Sequence, residues 1–189
     1  MKYDKLHLRK RSLIQRKKKY LKAKKFSFDL IFRLIKKHFK TKKITIAGYY
    51  PSNYEVNILN FLKKASKRRF KIVLPVLASS NTMSFQPWIF REPLYVNKFG
   101  ILEPNNNNKE ITPDLIMVPL VAFDNKLNRI GYGKGYYDRS LKKISKIKKK
   151  KIFLGVAYSF QKCKSIPIKK HDYKLDYIFT EQGIISSNK

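Results

Sequence analysis

A chain of 189 residues with 43% hydrophobic content can fill one core, which excludes wholesale disorder and favours a single domain over residues 1–189. Its formal charge of +32 draws polyanions, yet lysine far outnumbers arginine and Asn, Ile, Phe and Tyr abound, as an AT-biased genome alone would produce. The lone Cys163 excludes an internal disulfide, and the longest apolar run, 115–123, is broken by Pro119 and too short to cross a membrane. Residues 2–25 read as a lysine-rich helix with Leu6, Leu13, Ile14 and Leu21 on one side, and 27–39 as a second helix carrying Leu30, Ile31, Leu34 and Ile35. The period then changes: Ile44 to Tyr50 is β-branched and aromatic, predicting a strand that stops at Pro51. A helix over 55–67 buries Val56, Leu59, Leu62 and Ala65, and Lys71 to Pro75 predicts a short buried strand. Strand, helix and strand in so little chain form a βαβ unit, hence a parallel sheet with flanking helices. Residues 79–110 are less regular, with an antiparallel strand over 83–88 and a polar loop at Asn105 to Asn108. Asp114 to Val118 is the clearest central strand, and Val121 to Asp124 leads from it into a glycine loop. The next helix carries Tyr137, Leu141 and Ile144 on one face, and strands over 152–157 and 175–180 follow.

The glycine loop, Arg129 to Arg139, holds three of the seven glycines, alternating at 131, 133 and 135. Such density lets the backbone turn sharply and approach a ligand with its N–H groups outward. Lys134 and the helix N-terminus that follows suit a phosphate, and Asp138 adds a hard oxygen for a magnesium nucleotide. No Ser or Thr follows the lysine, so this is not a Walker A loop, and the glycine spacing is not that of a dinucleotide fingerprint. Two readings of the residues stay open, a phosphate cradle and a glycine-rich surface turn capped by a helix. The individual residues carry bland alternatives too. Lys5 and Arg9 lie among solvated lysines, Glu55 could be an early-turn helix acid, and Asp138 could pair with Arg139.

The block from Val118 to Asp138 resembles the signature of the 5-formyltetrahydrofolate cyclo-ligase family. The likeness extends to Lys5-x-x-Leu8-Arg9, to Tyr49-Tyr50-Pro51 with Glu55-Val56, to Gly100-Ile101-Leu102-Glu103-Pro104, and to Gln161 through Pro167 with His171-Asp172 and Asp176. Five segments in the family's order cover most of the chain. Two positions depart from the pattern: Asn57 stands where an acid is usual, and Ile58 where a threonine is common.

The resemblance implies a three-layer α/β/α fold with a mostly parallel, Rossmann-like mixed sheet. It also implies that ATP, with magnesium, phosphorylates the formyl oxygen of 5-formyltetrahydrofolate, after which N10 closes the ring to 5,10-methenyltetrahydrofolate. Carried over residue by residue, it assigns catalysis to Arg129, Lys134 and Tyr136. ATP falls to Lys5, Arg9, Arg129, Gly131, Gly133, Lys134, Gly135 and Tyr137. The folate falls to Tyr50, Glu55 and Tyr132 through Tyr136, and magnesium to Asp138 and Asp172. A competing hypothesis, an RNA-associated basic protein, draws on the charge and on the 14% aromatic content. The expectation is a monomeric cytoplasmic enzyme acting on a folate, polyglutamylated or not, without a membrane or nucleic-acid partner. The N-terminus is basic and carries no apolar stretch of the secretory type. Alanine at Lys134 or Asp138 is expected to cut turnover by orders of magnitude with the fold intact.

Overall fold

The computed structural model describes residues 4–40, 43–77, 82–105 and 109–187, so most of the Asn105–Asn108 run, Lys42 and residues 79–81 lie outside it. In chain order the elements are α1 (Lys5–Lys19), α2 (Asp29–His38), β1 (Thr45–Ala47), α3 (Leu59–Lys67), β2 (Lys71–Leu77) and β3 (Met83–Pro87). Two short pairs follow around a central strand: β4 (Tyr95–Val96), β5 (Leu102–Glu103), β6 (Leu115–Pro119), β7 (Ala122–Phe123) and β8 (Arg129–Ile130). The chain ends with α4 (Tyr136–Ser145), β9 (Ile152–Val156), β10 (Tyr177–Thr180) and β11 (Gly183–Ser186).

Seven strands make one sheet in the order β11-β10-β9-β6-β1-β2-β3. Every pairing from β10 through β9, β6 and β1 to β2 is parallel, and the two outermost strands run antiparallel to their neighbours. The sequence expectation of a mostly parallel mixed sheet is therefore met. From β1 the chain moves outward through α3 to β2 and β3, then returns to the other side of β1 with β6. The strand order thus reverses between β1 and β6, and open α/β sheets bind ligands beyond the carboxyl ends of strands at such a point.

Alternation along the strands builds a core on each face. Ile46, Leu115, Met117 and Leu154 meet Ile31 and Leu34 of α2 and Phe61 and Leu62 of α3. Ala47, Ile116, Val118 and Phe153 meet Leu141 and Ile144 of α4. β6 is buried on both sides, which is why its sequence is a continuous apolar run with no alternation. A Cβ at Gly155 of β9 would lie 2.6–2.8 Å from terminal methyls of Ile178, Leu175 and Leu120. Any one of these could swing aside, but all three are buried together. Gly155→Ala is expected to cost about 1–3 kcal/mol by overpacking. The check is a lower urea midpoint at an unchanged m-value.

Several features differ from the sequence reading. α3 begins at Leu59 rather than 55, with Val56 and Ile58 buried in the approach to it and Asn57 Oδ1 accepting the Leu59 N–H at 3.0 Å. β7, β8 and β11 are short pairings whose alternation is too brief to register in the sequence. The largest difference is α1. Leu6, Ile14 and Leu21 are 55%, 57% and 81% exposed, and the side turned inward carries Ser12 and Arg16. α1 is held by polar contacts together with Leu8 and Leu13, which pack against Val121, Ala122, Ile130 and Ile166, so of the expected apolar stripe only Leu13 turns toward the fold.

Candidate active site

The carboxyl ends of β1 and β6 open into a cleft of about 840 Å3. Tyr49 to Glu55 leaves β1 as one wall, Pro119 ends β6 at the floor, and the loop from β8 to α4 forms the opposite wall. The first turns of α1 bring Lys5 and Arg9 over it from above, and the segment around Asp172 closes it. Every residue assigned a site role in the sequence lines this one cleft, from Lys5 and Arg9 through Tyr50, Glu55 and Arg129 to Asp138 and Asp172. Gly131, Tyr132, Gly133, Lys134, Gly135, Tyr136 and Tyr137 supply the run between.

The loop is shaped by two of its glycines. Gly133 (φ 100°) and Gly135 (φ 71°) are left-handed, whereas Gly131 is not. Gly135 is the N-cap of α4, so the loop delivers the helix's N-terminal N–H groups to the cleft. Arg9 Nε donates to the Gly131 carbonyl at 2.7 Å, and a Cβ at Gly133 would meet the Arg9 guanidinium at 3.3 Å. Arg9 thus clamps the loop from α1. Lys134 is exposed, its Nζ 5.7 Å from the ring centroid of Phe99, which packs in turn edge-on against Tyr136.

Both candidate metal carboxylates are engaged by cations. Asp138 Oδ1 accepts from Arg129 Nη2 at 2.7 Å and from the Tyr173 N–H at 3.0 Å. Its partner is therefore Arg129 and not the adjacent Arg139. The Arg129 side chain is 5% exposed and also donates to the Tyr173 carbonyl. Asp172 Oδ2 accepts from Lys5 Nζ and from the Lys169 N–H. These contacts hold Asp172 below the usual carboxylate range against the burial that would raise it. Among the described residues no three His, Cys, Asp or Glu side chains group as a metal cage. Two separate carboxylates suit a magnesium ion whose other ligands are phosphate oxygens and water.

Glu55 sits in the turn before α3, not in the helix. Its Oε2 accepts from the Ser52 N–H at 2.9 Å and lies 3.4 Å from Ser52 Oγ. Burial pushes its carboxyl up, opposed by the Ser52 N–H, the Arg16 charge and the Tyr132 hydroxyl. The same burial pushes the Tyr132 phenol up to about 12, and that of Tyr137 well above its ordinary value. Asn53 and Tyr54 just before it have φ of 45° and 63°, a strained pair braced by the Tyr20 ring 4.5 Å from that of Tyr54. Sequence reasoning missed Ser52, Phe99 and Arg16. For Arg16 a signal existed: Lys5, Arg9, Ser12 and Arg16 recur at helical spacing as a polar stripe.

Five carboxylates and five Lys or Arg side chains line the cleft, so the +32 of the whole chain is not concentrated there.

Residues 1–181 match the 5-formyltetrahydrofolate cyclo-ligase family. A probable 5-formyltetrahydrofolate cyclo-ligase of Schizosaccharomyces pombe is 34% identical over 145 residues, 69% of this chain and 71% of that protein. The Haemophilus influenzae 5-formyltetrahydrofolate cyclo-ligase is 32% identical over 136 residues, 69% of this chain and 72% of that protein. Among solved structures, the 5,10-methenyltetrahydrofolate synthetase of Aquifex aeolicus superposes with a TM-score of 0.71 at 30% identity, covering 98% of this chain and 93% of that one. That of Mycoplasma pneumoniae superposes at 0.68 with 25% identity, covering 98% and 100%. Fold, cleft and sequence agree, and the chain belongs to the 5-formyltetrahydrofolate cyclo-ligase family.

Proposed function

We propose that this chain, acting as one domain over residues 1–189, converts 5-formyltetrahydrofolate to 5,10-methenyltetrahydrofolate with release of ADP and of phosphate that carries away the formyl oxygen. The observation that carries the reading is the meeting of three distant segments in one cleft: the start of α1, the turn after β1 and the glycine loop before α4. The formyl oxygen attacks the γ-phosphorus and ADP leaves. N10 then attacks the activated formyl carbon, and phosphate and the N10 proton depart as the ring closes. Such chemistry needs positioning and charge neutralisation more than covalent catalysis by the protein.

The α4 N-terminus, Lys134 and Arg9 receive the phosphates, and Lys5 and Arg129 add charge behind them. Glu55 and Tyr50 face the folate, where a carboxylate accepts the N–H donors of a pterin ring. Tyr136 stands between the two halves of the cleft, beside the Phe99 ring. Asp138 and Asp172 are the residues that would hold magnesium, which offsets phosphate charge when bound. The protein works as a cytoplasmic monomer; no helix of the described residues is long and apolar enough to cross a membrane. The surplus lysines lie outside the cleft and are assigned no nucleic-acid role, and a polyglutamate tail on the folate is accommodated rather than required.

The decisive assay follows methenyltetrahydrofolate absorbance from 5-formyltetrahydrofolate, ATP and magnesium. Product that appears only with ATP is the expected result. A folded protein that makes none would overturn the assignment, and RNA binding at low salt would then be the reading to measure.

A further inference from the structure

We infer that Arg16 is a positioning residue for the folate side of the cleft: its guanidinium fixes the Tyr132 hydroxyl beside Glu55 and supplies the positive charge that this carboxylate faces. The inference rests on the folate reading above. Arg16 is 1% exposed and is among the largest fully buried side chains of the protein. Among the described residues no carboxylate lies within ion-pair distance of it. Its Nη1 donates to the Leu120 carbonyl at 3.2 Å, its Nη2 donates to the Tyr132 hydroxyl, and its Nε is buried with no hydrogen-bond partner. Burying a guanidinium on these terms costs stability, and such a cost calls for a role.

The Tyr132 hydroxyl lies beside the Glu55 carboxylate, whose own hydrogen bonds come from Ser52. A guanidinium can only donate and an ionised carboxylate can only accept, so the phenolic proton has one place to go. Tyr132 therefore accepts from Arg16 and turns its own proton toward the Glu55 side. The three groups form a relay of fixed polarity from α1, across the glycine loop, to the turn after β1. Glu55 Oε2 is committed to Ser52, and the arrangement leaves the remaining lone pairs of the carboxylate for the N–H donors of the folate ring.

The groups facing Glu55 are few. Ser52 lies in its own turn, Tyr49 follows β1, Tyr132 belongs to the glycine loop and Tyr137 to α4, while α1 contributes Arg16. Of these Arg16 is the cation. Its charge opposes the burial that pushes the Glu55 carboxyl up, so its removal must push that carboxyl higher still.

The test reads the Glu55 carboxyl by carbon-13 NMR through a pH titration of the ligand-free protein, with the resonance assigned from Glu55→Gln. Separate titrations measure the affinities for 5-formyltetrahydrofolate and for ATP. In Arg16→Met the Glu55 midpoint is expected to move up and the folate Kd to weaken roughly tenfold, with ATP affinity within about twofold of wild type. Arg16→Lys restores the charge without the fork, and so recovers the midpoint with only part of the affinity. Tyr132→Phe, which removes one oxygen from a side chain 41% exposed, is expected to weaken folate in the same way. The double variant should be no worse than either single one. Should Arg16→Met fail to fold, Tyr132→Phe carries the measurement. An unmoved Glu55 midpoint, or equal losses for folate and ATP, overturns the role of Arg16. A wild-type protein that binds no 5-formyltetrahydrofolate instead overturns the folate reading, while the midpoint still reports the coupling of Arg16 to Glu55.

Discussion

Lys134→Ala is expected to lower turnover about 10²–10³-fold, the usual loss when one donor to developing charge is removed. Its thermal stability should match wild type. Lys134 is exposed, and its recorded neighbour is the face of Phe99 rather than a buried carboxylate. The ammonium can therefore be removed without orphaning anything inside the fold. The loop's left-handed glycines at 133 and 135 fix the backbone on either side of it, so the cradle keeps its shape. Single-turnover rates with saturating ATP, set beside a thermal melt, make the comparison. Wild-type turnover in this variant would move the phosphate assignment away from the loop.

Asp138→Ala should fail differently. Asp138 is the partner of Arg129, whose side chain is 5% exposed, and truncation leaves that guanidinium buried and unpaired. Breaking such a pair by removing one partner costs about 3–5 kcal/mol. This variant should lose both activity and stability, contrary to the sequence expectation that its fold survives intact. Asp138→Asn separates the two effects. Its amide oxygen can still accept from Arg129 and from the Tyr173 N–H, so part of the stability returns. The negative charge does not return, and turnover stays low even at raised magnesium. Full activity in Asp138→Asn would show that the residue serves the fold alone.

The sheet was easier to read than the helix that completes the site. β6 announced itself as an unbroken apolar run because both its faces are covered, and α2 and α4 bury the residues their periodicity singled out. α1 defeats that reasoning. Its inward side carries Arg16 and Ser12 beside Leu8 and Leu13, while Leu6, Ile14 and Leu21 remain exposed, so a rule that turns every leucine inward misplaces most of the stripe. Lys5 and Arg9 came into view through family resemblance, although the helical stripe they share with Ser12 and Arg16 was there to be read. The partner of Asp138 was hidden for another reason. Adjacent residues on a helix do not face each other, so Arg139 was a poor candidate, but nothing local pointed to Arg129 on β8. The buried environment of Glu55 depends on Arg16 and Tyr132, which only the closed fold brings to it.

The attachment of α1 also bears on the order in which the molecule assembles. Lys5 meets Asp172 across 167 residues of chain, Arg9 meets Gly131 across 122, and Arg16 meets Tyr132 across 116. α1 leaves the ribosome well before these inward partners, and the apolar residues on which its Leu8 and Leu13 pack, Val121, Ala122, Ile130 and Ile166, are just as late. The centre of the sheet can condense around β1, β2 and β6 while α1 waits as a solvated basic helix, since long-range closure is costly until its contacts reward it. A nascent or C-terminally cropped chain would then carry a nearly finished scaffold with an unclamped loop. Synthesis of the segment around Asp172, more than the forming of the core, completes the cleft.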